Sequence, residues 1–222
     1  MLPEALLIAR KDLKIEMRSK VALGQVAPLA LLILVIFAFA LDANSMLLKL
    51  GAGGLFWISA LYGGTMLVQR SFDLESEDGN FDALRMSNID PSAIFLGKTL
   101  ALFVQIGILE LVIGPAILIL YETQVSDWLL LVLAAVAGTL AFSVCGVLWG
   151  VMASGLRVRT TLLPLLLVPV LSPVLLAGSR AFETALGVRA GDGWTWTGLM
   201  FVIASLHTAV GLGAFGFLLE EG

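Results

Sequence analysis

The sequence predicts an all-α membrane protein: six transmembrane helices behind an amphipathic helix at the membrane surface. Three observations carry this reading. Hydrophobic residues make up 59% of the 222 residues and charged ones only 14%, against roughly 25% charge in soluble domains. Six runs approach the ~20 apolar residues that cross about 30 Å of hydrocarbon. Lys and Arg fall unevenly between the loops on the two sides.

The spans are taken in order. The first is 21–41, VALGQVAPLALLILVIFAFAL. The second is 50–69, LGAGGLFWISALYGGTMLVQ. The third, 92–121, is opened by Asp90 as N-cap and Pro91 at the first helical position. The fourth is 128–154, the fifth 160–178 and the sixth 196–219. Between the last two, 179–195 reads as the longest outer loop, and Trp194 and Trp196 mark its return to the interface.

Ten of the thirteen basic residues lie on one side: Arg10, Lys11, Lys14, Arg18, Lys20, Arg70, Arg85, Lys98, Arg157 and Arg159. Lys49, Arg180 and Arg189 lie on the other. Both termini are therefore expected in the cytoplasm. Residues 1–20 read as a surface elbow, with Leu6, Leu7, Leu13 and Met17 on lipid and the basic residues at phosphates. The basic start precedes a membrane-length run without a small-residue cleavage site, so the first span is expected to stay in the mature protein.

Several chemistries are excluded. The net charge of −4 argues against a nucleic-acid partner. The single cysteine, Cys145, forms no intrachain disulfide or cysteine metal cluster and reads as a packing residue. There is no GxxxxGK[ST] loop, no HExxH and no supportable Ser–His–Asp set. The chain is expected to be non-catalytic.

A few intramembrane residues stand out. Glu110, in QIGILELVIG, costs roughly 2.5–3.5 kcal/mol near a helix centre on insertion scales. It reads either as lining a transport path or dimer seam, or as a protonated or paired carboxyl. His207, near mid-span, reads as bonding a neighbouring helix or, less simply, as a haem ligand. Pro164, Pro169 and Pro173 punctuate the fifth span and predict a bent helix, either lining a cavity or kinked against its neighbours.

The segment SFDLESEDGNFDALRMSNIDPS joins spans two and three. It interleaves Asp73, Glu75, Glu77, Asp78 and Asp82 with Phe72, Leu74, Phe81 and Leu84. Inner-leaflet headgroups are anionic and would repel it. Its apolar residues would otherwise be exposed, so it suits a basic, grooved protein surface. The docking set is Phe72, Asp73, Leu74, Glu75, Glu77, Asp78, Gly79, Phe81, Leu84 and Arg85. Gly79 and Asn80 read as a turn opening a short helix from Phe81 to Met86.

FDLESEDGNFDAL, followed about ten residues later by GKTLA, is similar to the segment after the second span in the CcmB family, the haem-exporter B subunits of cytochrome c maturation. LPLLLVPVLSPVLLAG resembles that family's fifth-span proline run, and RKDLKIEMRSK agrees with its N-terminal stretch. SNIDPS lacks the family's Ser–Pro–x–Pro run, and FGFLLEEG lacks its basic finish. The resemblance implies one permease domain over 1–222, of the ABC-2 type, in the bacterial inner membrane. It implies docking of the ATPase subunit CcmA through the segment between spans two and three, with ATP bound there. CcmC, CcmD and the haem chaperone CcmE are the other implied partners, and two copies of the chain would form the permease. No cofactor is implied on the chain itself, with haem as a transported or partner-bound ligand.

Other readings share parts of the pattern. An ABC-2 permease for another cargo (glycan, lipid or drug) shares all of it. An ion-coupled transporter using Glu110 and His207 calls for an inverted repeat, which the sequence does not display. An intramembrane enzyme needs a catalytic constellation.

Overall fold

The computed structural model describes residues 1–76, 89–154 and 159–221, with side chains for 1–73, 89–153 and 162–219. The expected turn at Gly79–Asn80 and the short helix from Phe81 lie outside the described residues. Among the described residues seven α-helices follow in order: α1 Leu2–Ser19, α2 Ala27–Ala40, α3 Ser45–Ser76, α4 Pro91–Leu120, α5 Trp128–Ser154, α6 Arg159–Ala185 and α7 Gly193–Glu221. Among the described residues there is no strand. Six helices are long and apolar enough to span a membrane, so the chain is an all-α multi-pass membrane protein.

α1 is the surface elbow. It buries Ala5, Ile8 and Ala9 and leaves Leu6, Leu7 and Met17 exposed. A π-helical turn, Ala22–Val26, joins it to α2. Pro28 has no N–H and its ring crowds the carbonyl four residues back, and the wider turn just before it relieves that conflict. Glu16 Oε1 accepts the Ala22 N–H at 2.6 Å and fixes the elbow against this turn.

Three helices are longer than the sequence predicts, α7 by a few residues at its ends and α3 and α6 by more. α3 starts at Ser45 because Asn44 caps it, its Oδ1 accepting from Met46 and Leu47 N–H at 3.1 and 3.2 Å. α6 runs on to Ala185, so the outer loop shrinks to 186–192. The expected loop 179–195 included the charges at 180 and 183. Instead Arg180 and Glu183 pair along the helix at 2.9 Å, while Ala181, Phe182 and Ala185 turn inward. The prolines leave α6 unbroken, and Pro169 and Pro173 face outward. The predicted Asp90 cap is present, accepting the Ser92 N–H at 2.9 Å.

α5 is the central helix, packed against α4, α6 and α7, while α3 bridges α4 and α6. The core centres on Trp57 of α3, 1% exposed. Its ring lies so close to Gly138 of α5 and Gly178 of α6 that a Cβ at either would collide with it. Phe56 and Phe182 stack around it with centroids 4.5–5.4 Å apart.

Candidate functional site

Two places in the bundle gather polar chemistry. The first lies at the end that carries α1, where the acidic segment between spans two and three leaves α3. Gly97 of α4 lets α1 approach until a Cβ there would sit 2.7 Å from the Ala5 carbonyl oxygen and the Ile8 Cβ. The next residue, Lys98, is 1% exposed. Its Nζ lies 3.5 Å from Asp12 Oδ2 and 3.4 Å from Ser71 Oγ, and 5.0 Å from the centre of the Phe72 ring. Arg70 Nε sits 3.7 Å from Glu16 Oε2. A buried charge is tolerated when it is paired, and this pairing ties α1, α3 and α4 together.

One expectation changes here, while Lys98 lies inside α4, within the expected third span. Phe72 is not part of an exposed docking face: it is 3% exposed, its ring packed onto Gly150 of α5 with no room for a Cβ. Asp73 is half-buried beside it. Leu74 and Glu75 continue the α3 backbone, their side chains undescribed. Glu77, Asp78, Gly79, Phe81, Leu84 and Arg85 lie outside the described residues.

The second place is a lateral groove between α4 and α5, in the half of the bundle away from α1. It encloses about 580 Å³, with Phe56 and Phe182 as its floor. Glu110, 8% exposed, stands at its wall. Thr139 Oγ1 of α5 lies 2.6 Å from Glu110 Oε2 and 2.7 Å from the Ala135 carbonyl oxygen. One hydroxyl proton serves only one of these acceptors. Both bonds form when Glu110 carries a proton and donates it to Thr139. Glu110 Oε1 is buried with no hydrogen-bond partner.

Of the predicted path residues, this groove takes Glu110. Pro164, Pro169, Pro173 and His207 do not line the groove. His207 is half-buried, and its Nδ1 lies 2.9 Å from the Ile203 carbonyl oxygen of its own helix, not from a neighbour. Sequence reasoning missed Asp12 and Thr139. Asp12 faces inward on a helix read as lying on lipid, and Thr139 is a single hydroxyl in an apolar run. Only the three-dimensional pairing singles them out.

The comparisons fit this architecture. The family model described as CcmB protein matches residues 4–218. The chain belongs to the CcmB family. Among curated relatives, Heme exporter protein B of Haemophilus influenzae is 29% identical, over 88% of this chain and 89% of that one. Heme exporter protein B of Rhodobacter capsulatus is 27% identical, over 82% of this chain and 87% of that one. The protein of the same name from Pseudomonas aeruginosa is 26% identical, over 98% and 95%. The family model covers the whole bundle and nearly all of the elbow.

Proposed function

We propose that this chain is the membrane permease subunit of an ATP-driven complex of cytochrome c maturation, working in haem export or in release of the haem-loaded chaperone CcmE. The observation that carries the reading is the CcmB match over residues 4–218, supported by relatives named for haem export. The chain sits in the bacterial inner membrane with both termini in the cytoplasm, and two copies form the permease. The ATPase subunit CcmA grips residues 73–86, with CcmC and CcmD alongside. Hydrolysis takes place on that partner and not on this chain.

The paired network at the α1 end supports a lever. The docking segment begins at the end of α3, next to Phe72 on Gly150 and Lys98 on Asp12. Force applied beyond residue 73 reaches α1, α4 and α5 through those contacts. A nucleotide shifts such an equilibrium only if the docked segment is held more tightly in one state. Replacing Phe81 and Leu84 together with Asp is expected to abolish co-purification of the ATPase subunit and c-type cytochrome formation, with membrane insertion unchanged. ATPase binding that survives this double substitution refutes the docking assignment. Maturation of c-type cytochromes that survives deletion of the chain refutes the pathway and favours another cargo.

A further inference from the structure

The α4/α5 groove is open at its wall: Leu111, the residue after Glu110, is 75% exposed. Glu110 lies eleven residues before Tyr121, where α4 ends, so it is about 16 Å from that end. That is about half the thickness of the hydrocarbon core. The unpartnered Oε1 therefore sits near mid-depth, where water cannot serve it. With Glu110 donating to Thr139, Oε1 is a carbonyl-type acceptor and calls for a donor.

The glycines of this wall point the same way. Gly97, Gly138, Gly150 and Gly178 are each pressed against a neighbour in the chain. Gly107 has no atom within 4 Å of a Cβ position, and Gly114 has only the edge of Phe56 at 4.0 Å. They are seven residues apart, on one face of α4, with Glu110 between them. Among the described residues nothing uses their smallness. Small residues at such spacing let a second membrane helix approach closely.

We propose that this groove seats a transmembrane helix of another subunit, one with an apolar, small-residue face and a hydrogen-bond donor at mid-depth that reaches Glu110 Oε1. A lipid acyl chain would fill the apolar walls but carries no donor at that depth. A second copy of this chain does not suit, because a two-fold contact is self-complementary and a concave face cannot fill its own image. The proposal rests on the reading of this chain as one subunit of a larger membrane complex.

The test uses the full complex in native membranes, with the photoreactive residue p-benzoylphenylalanine in place of Leu111. The expected adduct maps, by mass spectrometry, to a membrane-spanning segment of a different subunit. Gly107→Leu with Gly114→Leu should lower that adduct and co-purification of the same subunit by about fivefold or more. Membrane level and ATPase association should stay unchanged. Glu110→Gln, which keeps the acceptor, should retain the adduct, and Glu110→Leu should weaken it. Adducts confined to lipid, to a small amphipathic molecule or to a second copy of this chain overturn the assignment. So does an adduct untouched by the glycine pair. A helix adduct found in preparations without any ATPase subunit would sink the permease reading and leave the groove assignment standing.

Discussion

The two polar places treat a buried ionisable side chain in opposite ways. At the α1 end, Lys98 is enclosed but meets Asp12, Ser71 and the Phe72 ring. In the groove, Glu110 is nearly as enclosed, yet one carboxyl oxygen has no partner. The first site is complete within one chain and holds its shape. The second is complete only when something else enters. Glycines divide the same way: Gly97 and Gly150 are filled from inside, while Gly107 and Gly114 border open space. A feature finished internally reads as scaffold, and an unfinished one reads as an interface.

Substitutions can break or sharpen this contrast. The largest effect is expected for Lys98→Met, which leaves Asp12 Oδ2 facing a closed pocket, with the exposed Lys11 still paired at Oδ1 at 3.2 Å. Breaking a buried pair from one side costs about 3–5 kcal/mol, and the lower end applies because Asp12 keeps some exposure. Unfolding of the detergent-solubilised chain in SDS should show it, and adding Asp12→Leu should recover most of the loss. A double variant as unstable as the single would mean the pair is not the cause.

Gly150→Val comes next. The added side chain must displace the Phe72 ring, an overpacking cost of about 1–3 kcal/mol. The same unfolding assay reads it, and docking of the ATPase should weaken in parallel.

In the groove the sign should reverse. Glu110→Leu removes a buried unpaired acceptor, so the isolated chain should become as stable as wild type or more stable, by up to about 1 kcal/mol. Gly107→Ala should likewise gain a few tenths to 1 kcal/mol from helix propensity. Clear destabilisation of the isolated chain by either would show that the groove is internal scaffold after all.

The smallest effect concerns Asp192, the N-cap of α7. Hydrogen bonds from the Thr195 hydroxyl and from the N–H groups of Thr195 and Trp194 hold its carboxyl below the usual aspartate range. A carboxyl lowered on folding contributes stability above its unfolded value, near pH 4, and loses it as the pH falls through the folded value. Hydrogen exchange at Trp194 and Thr195, corrected for intrinsic rates, should therefore accelerate only in acid. In Asp192→Ala that acid-dependent step should vanish.

Much of the fold was legible along the chain because its causes are local. Bilayer thickness forces apolar runs of one length, so the six spans followed from composition. Asp90–Pro91 announced the start of α4, and the alternation of Leu and Lys in residues 1–20 announced the elbow. What stayed hidden depends on residues far apart in sequence. Lys98 and Asp12 are 86 positions apart, and neither announces the other. Phe72 looked stranded in an acidic segment until Gly150 supplied its seat. Arg180 and Glu183 fell in the expected loop 179–195, and only their pairing along α6 shows them to be helical. Glu110 was singled out by its cost in lipid, but its hydroxyl partner on the next helix was not.

The π-helical turn at Ala22–Val26 carries a consequence for length variation. Each residue in a helix advances the chain by about 100° around its axis. Removing one residue between Val21 and Val26 would swing the whole elbow by that angle, turning Asp12 away from Lys98 and Ile8 away from Gly97. The stretch that looks most irregular is thus the one whose residue count is least free to drift, since it sets the azimuth at which the entire N-terminal arm meets the bundle.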